Sequence, residues 1–570
     1  MRIPPVGRVA LAAVLLTALL VGPTVSPGAA QSPPSGKVVR LPFPKYDGTL
    51  TPYTFELGYP LVTLVYDTLM LRDAEGVPKP WLARSVRRSE GGRRVTVRLR
   101  PGVRWHDGRP LTAEDVAFTF RFVAERPHPR FTTQVTDIES VRAIDPLTVV
   151  FDLRRPSLGF DDQPLADVPI LPRHLWEPLP ADQIAPSGLP VGSGPYRLSR
   201  ARKRGGYTFR ANRGYFKGNP AVDRIEVPII RQEARSYTAL RRRKVDMLPL
   251  SLPEGAAQDL GGAFGINLKS GPLYLGTSVV LNLRRPPFDD PAARRAVAQA
   301  LDLGRIARNV GPAAVADRGY IHPASPWASK TRLQRFDGNA ARGAFARLGL
   351  PPIRVLAPDN DAVLLEAGRQ VMLGLRRAGV SATLAEVSRA ELGRAIGEDG
   401  ASADFEAAIV TTPPLASYDP DFLDKVFGSD PEAAPLNYAG YRSADFDALA
   451  DRVAGAPDQA SRRRATGAEL RLLARDLPVV PLFFSRGAFG YRPAAHDGWV
   501  FIKGSGILDK RSFLRGQAPG GGGADGAPSD DADDGSSVLD LLDTVSLIVL
   551  AILLALGAFG LVRRFSVERQ

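Results

Sequence analysis

Val95-Thr-Val-Arg-Leu-Arg-Pro-Gly-Val-Arg-Trp-His-Asp-Gly-Arg-Pro-Leu-Thr-Ala-Glu-Asp-Val-Ala-Phe-Thr-Phe-Arg-Phe-Val-Ala-Glu-Arg126 decides the fold. Val95, Val97 and Leu99 alternate with Thr96, Arg98 and Arg100, the period of a strand with one buried face. Pro101-Gly102 and Asp107-Gly108 bring turn chemistry on either side of Val103 and Trp105, which are again spaced by two, so a bent strand and a loop follow. Thr112 with Asp115 three residues on is a capping-box-like start, and Val116, Phe120 and Val123 then share one helical face. His106 and Asp107 carry no metal or acid–base reading, because further ligands or a nucleophile are missing beside them.

Working outward, the chain of 570 residues with 44% hydrophobic content can bury a large core, enough for about three to four domain-sized units. It has no cysteine, which excludes disulfides, thiolate metal sites, a cysteine nucleophile and lipid attachment through cysteine. The net charge of +14 would suit nucleic acid or an anionic membrane. Arginine is instead spread over 84–104, 197–213 and 231–244, without the interleaved aromatics of a stacking platform. A solvated basic surface is expected, and no nucleic-acid partner.

At the start, Arg2 and Arg8 precede an apolar run, Val9 to Val21, and small residues Gly28-Ala-Ala30 follow. This reads as a signal peptide over 1–30 and an exported body; an uncleaved anchor is the alternative, for which the run is short of the ~20 residues a span needs. Beyond 516 the composition breaks into glycines and aspartates, an acidic flexible linker over 516–537. The segment 538–562 reads as a transmembrane helix, with Thr544 to Val562 free of charge and long enough at ~1.5 Å per residue to cross the hydrocarbon. Arg563 and Arg564 make 563–570 a cytoplasmic tail.

The segment Leu99 to Phe120 resembles the signature of the family 5 extracellular solute-binding proteins, the oligopeptide, dipeptide and nickel receptors of ABC importers. Val65-Tyr-Asp-Thr-Leu-Met70, Gly76 to Ala83, Leu171-Pro-Arg-His-Leu175, Val191-Gly-Ser-Gly-Pro-Tyr-Arg-Leu198, Asn212 to Phe216, Pro286 to Asp290 and Asp476 to Phe484 resemble further elements of that family, in its order. The resemblance implies an α/β fold of the two-lobed periplasmic-binding-protein type II, with an extra small domain, and here one C-terminal transmembrane helix. Lobe I would comprise 31–65, 189–272 and 485–515, the inserted small domain 66–188, and lobe II 273–484. It also implies a non-enzymatic receptor without cofactor, capturing a small-molecule or peptide ligand for permease subunits while tethered outside the cytoplasmic membrane. Gly192 and Gly194 would allow close backbone packing; a phosphate loop there fails for want of a Gly-Lys-Ser/Thr ending and a following helix.

Strands and helices alternate from Ile353 to Val410, which implies an α/β sheet with right-handed crossovers. Ligands of such sheets gather beyond the strand carboxyl ends. The candidates there are Thr411, Thr412, Ser417, Tyr418 and Asp419; the resemblance puts Glu56, Tyr59 and Phe131 opposite. Peptide-binding members carry a Gly-Trp pair and then an Asp that receives the peptide ammonium. Alignment on Asp419-Pro420 puts Ala416 at the Asp position and Pro413 at the Trp position, so that anchor is absent. Asp419 or Asp421 could substitute, but in an Asp-Pro-Asp turn the expectation is a helix cap. A different class stays open beside the receptor: a binding-protein-fold accessory or scaffold subunit that has lost transport. An enzyme would need a nucleophile elbow or triad signature, which the sequence lacks.

Overall fold

The strand Arg94–Leu99 and the helix Ala113–Glu125 form where the sequence puts them. Thr112 and Asp115 make the reciprocal capping box, and Asp115 Oδ1 also accepts the backbone N–H of Arg173 at 3.0 Å. Val103 and Trp105 do not form a strand. Gly102 and Gly108 take φ of 75° and 92°, turning the chain too sharply for a ladder, and only an isolated bridge from Arg104 to Pro110 remains. Both apolar side chains are nonetheless buried in the local core. His106 is a structural clasp: its Nδ1 accepts from Gly192 N at 3.2 Å and its Nε2 lies 3.0 Å from the Gly194 carbonyl. Burial lowers its pKa to about 4, so the ring is neutral and Nε2 donates.

The computed structural model describes residues 36–515, apart from 56–57, 129, 312–313, 317–318, 332–334, 360, 399–402 and 413. The predicted signal peptide, linker and transmembrane helix, with Glu56 and Pro413, lie outside the described residues; among those described, no helix is long and apolar enough to cross a membrane.

Three large cores arise from three sheets. The first sheet orders Val38–Arg40, Arg224–Val227, Gly206–Ala211 and Tyr196–Arg202, and its core reaches to Trp499 and Phe513. The second is wholly antiparallel: Ala83–Ser89, Arg94–Leu99, Thr148–Leu153 and Ile138–Asp145, with the helix Ala113–Glu125 on one face. The third is mixed and six-stranded, in the order Ala314–Ala316, Val479–Tyr491, Asn267–Leu281, Ala407–Thr412, Ile353–Pro358, Ala382–Val387. Its last three strands run parallel, as expected from the alternation with helices Ala362–Arg377 and Arg389–Ile396. The two long strands Asn267–Leu281 and Val479–Tyr491 pair along most of their length, with an irregularity between Pro272 and Gly276. One end of this ribbon packs in the third core through Val279 and Val480, the other in the first core through Leu273 and Phe489.

The cores are joined at Asp67, which is fully buried. Its carboxylate accepts from the Trp81 indole at 3.0 Å, Tyr215 Oη at 2.9 Å, Ser193 Oγ at 2.9 Å and Lys510 Nζ at 2.5 Å, while Lys510 also donates to the Tyr66 carbonyl at 2.7 Å. Around it, Gly192 and Gly194 let the backbone close: a Cβ on either would lie 1.9 Å from Val65 O or 2.4 Å from Leu64 O. Removing one partner of a buried pair leaves the other charge uncompensated, at a cost of about 3–5 kcal/mol. Lys510→Met is therefore expected to lower the unfolding free energy by that amount, read as a fall in the denaturant midpoint at unchanged slope, and Asp67→Asn to do the same. An unchanged midpoint in both would remove the pair from its joining role.

Candidate functional site

The parallel strands Ile353–Pro358, Ala382–Val387 and Ala407–Thr412 end on one side of the third sheet, and a cavity of about 400 Å³ opens there. Pro358, Arg389, Thr411 and Thr412 lie at those ends, and the cavity continues over the sheet face to Val280 and Val479. Ala416 also lines it and contributes no carboxylate. Ser278 and Thr412 hydroxyls pair at 2.9 Å across the wall, and Arg389 meets Glu398 at 2.7 Å on the rim.

Beside the cavity a seam joins the third core to the other two, and Tyr418 crosses it. Its hydroxyl donates to the Lys503 carbonyl at 2.7 Å and lies 2.6 Å from Ser505 Oγ; the Arg72 guanidinium stands 4.4 Å over its ring. Arg72 is fixed by Asp162, through Nε at 2.9 Å to the carboxylate and Nη2 at 2.9 Å to the carbonyl. Behind Tyr418, Arg462 pairs with Asp419 and with Asp421, the latter at 2.6 Å, and its guanidinium lies 4.9 Å over Trp327. The small sheet's side reaches this cluster at Gly159, where a Cβ would lie 2.2 Å from Asp419 Oδ2 and 2.7 Å from Arg462 Nη2. Three acids thus gather around two arginines. Burial pushes the Asp162 carboxyl up to about 7, with Asp419 adding and Arg72 opposing. Burial, then Asp419, pushes Asp421 up to about 6 against the pull of Arg462.

The described predicted residues separate into five places. Thr411 and Thr412 line the cavity, and Tyr418 is on the seam. Ser417 is buried and employed internally, its Oγ accepting from His322 N at 2.9 Å and its carbonyl from Ser325 Oγ at 2.7 Å. Asp419 is buried against Arg462; the Asp-Pro-Asp turn gives no side-chain cap to the helix Phe422–Phe427, because the arginine takes both carboxylates. Tyr59 donates to the Asp167 carbonyl at 2.5 Å beneath Arg130, whose guanidinium is 4.1 Å over the ring, and Phe131 packs 6.1 Å from it. Tyr59 and Tyr418 do not meet directly; Arg72 lies between them and feels Asp162, Asp167 and Tyr418 together. Arg72, Asp162, Asp167 and Arg462 were not among the sequence candidates. A buried charge has no local signature, since its partner sits 90 positions away for Arg72 and 43 for Arg462.

Sheet ends facing a second body across a latched seam define a two-lobed α/β binding-protein fold, and solved structures share it. The ABC transporter substrate binding protein CtaP of Listeria monocytogenes superposes with a TM-score of 0.73 at 21% identity, covering 84% of this chain and 99% of that one. AppA of Bacillus subtilis, solved with a nonapeptide, gives 0.73 at 19% identity and the same coverages; NikA of Brucella suis, solved with Fe(III)-EDTA, gives 0.73 at 21%, covering 82% and 98%. In sequence, the oligopeptide-binding protein AppA is 24% identical over 453 residues, 74% of this chain and 81% of that protein. The dipeptide-binding protein of Escherichia coli is 26% identical over 298 residues, 48% of this chain, and this chain spans about half of it, 55%. The model of the bacterial extracellular solute-binding proteins, family 5 Middle, matches residues 77–433; the chain belongs to that family.

If the molecule opens at this seam, the raised carboxyls make the motion pH-dependent. Asp162 has an ordinary carboxyl pKa once the seam opens to water, near 3.9, and about 7 when closed, so closing takes up a proton between those values. Closure is favoured at low pH, weakens as pH rises from near 3.9 to about 7 and levels off above that. Small-angle scattering is expected to give a larger radius of gyration at about pH 8 than at about pH 5, and Asp162→Asn should flatten the difference. A dependence of opposite sign, or one that survives in Asp162→Asn, would rule out this carboxyl as its source.

Proposed function

We propose that the chain is the extracytoplasmic receptor of an ABC importer, capturing a small solute between its two lobes and delivering it to permease subunits. The observation that carries this reading is Tyr418, which spans the seam to Lys503 and Arg72 directly beside a cavity at the strand carboxyl ends. A solute entering there is enclosed when the lobes rotate together on the ribbon of Asn267–Leu281 and Val479–Tyr491. In this reading 31–65, 189–272 and 485–515 form lobe I, 66–188 the small domain and 273–484 lobe II. The signal segment exports the body, and the 538–562 helix holds it to the cytoplasmic membrane through the acidic linker.

The ligand is not an ordinary peptide gripped by its α-ammonium. Ala416 offers no carboxylate, and Asp419 and Asp421 are both engaged by Arg462. The family is one of binding proteins, and the reading invokes no catalysis.

A thermal-shift screen of peptides, sugars, metal chelates and opines is expected to yield a stabilising solute, because a ligand of the native state adds RT ln(1 + [L]/Kd). Tyr418→Ala should weaken that solute by about 1–3 kcal/mol through lost packing and hydrogen bonding, read by calorimetric titration. Affinity unchanged in Tyr418→Ala would move the binding site elsewhere. Pull-down from membranes should retrieve permease subunits; a stable partner of another kind in their place would favour the scaffold role.

A further inference from the structure

Resting on the receptor reading, we propose that the cavity of the third sheet takes the unbranched aliphatic chain of an amphipathic solute whose polar end is a carboxylate or hydroxyl and not an ammonium.

Ala407–Thr412 is an interior strand of its sheet, a position normally covered on both faces. Val410 and Thr412 are nevertheless only half-buried, because the cavity stands over them. Its walls are apolar in the main, with Leu392, Val426, Phe427 and Leu436 facing the sheet. Protein interiors are close-packed, and a mainly apolar hollow of this kind accepts apolar guests. Its length follows from the register: Gly276 pairs with Thr412 near the opening and Val280 with Val479 at the far end, four strand steps of ~3.4 Å, or about 14 Å. That depth suits an extended chain better than a compact side chain.

The mouth decides the polar end. Leu275 is 41% exposed there, and Arg389 stands on the rim with Glu398 at 2.7 Å. The Glu398 carboxylate is already taken by Arg389, and Tyr438, whose pKa is raised first by burial and then by the Glu398 charge, lies beside it. An incoming ammonium therefore has no free carboxylate. A carboxylate or hydroxyl has the remaining Arg389 N–H groups and the Ser278–Thr412 hydroxyl pair.

The test is calorimetric titration of the full chain held in an amphipathic polymer, with the polymer alone as blank, using hexanoate, octanoate, decanoate, decanol and decylammonium. Affinity is expected to rise about fourfold per added methylene, with decylammonium at least tenfold weaker than decanoate. Val410→Phe, which fills the cavity, should lose at least tenfold in decanoate affinity while its own melting temperature holds or rises; Ala439→Leu serves if that variant does not fold. No chain-length dependence, equal binding in the filled variants, or decylammonium binding as tightly as decanoate would each overturn the proposal. If a polar solute stabilises wild type and filled variants alike, the cavity assignment falls and the receptor reading stands. If no solute of any class binds, both fall.

Discussion

The Asp67–Lys510 pair is the interaction on which the rest of the molecule depends. Four donors converge on one fully buried carboxylate, and they come from the Trp81 turn, the 193 loop, Tyr215 and the last described segment. A buried ion pair contributes little net stability when its desolvation is counted, but its geometry admits few alternatives. Here it fixes where the small antiparallel sheet sits on the first core. That in turn sets where Arg72, five residues on, presents its guanidinium to Tyr418.

The seam repeats the same chemistry with less satisfaction. Asp67 has all its partners, whereas Asp162, Asp419 and Asp421 crowd around Arg72 and Arg462, and Asp419 Oδ2 has no hydrogen-bond partner among the described residues. The first arrangement is permanent and the second conditional. A receptor needs both: a rigid frame within each lobe, and between lobes a contact whose balance a solute or a proton can tip. The cavity lies next to the conditional contact, so in the proposed receptor enclosing a solute and fastening Tyr418 would be one event.

Local rules were legible and non-local charge was not. The capping box at Thr112 and Asp115 and the alternation from Val95 to Leu99 need only neighbours within a few residues, and each formed as read. The strand-end rule put Thr411 and Thr412 at the cavity because topology follows from element order. It could not foresee that Ser417 would be consumed by His322 and Ser325, or that Arg462 would draw both aspartates away from capping. Val103 and Trp105 had the period of a strand, but the glycines beside them set the backbone. Asp67 and Lys510 stand 443 positions apart, and nothing in either neighbourhood announces the other.

The ribbon of Asn267–Leu281 and Val479–Tyr491 has a mechanical consequence. Two strands bonded side by side resist stretching and shearing but yield to twist, most readily at the irregularity between Pro272 and Gly276. With one end embedded in each core, the ribbon would work as a torsion bar in the proposed receptor, permitting rotation of one lobe against the other and resisting sliding. Side chains along the bar, far from any solute, then set the stiffness of the return stroke, so affinity can be tuned without touching a single contact to the bound molecule.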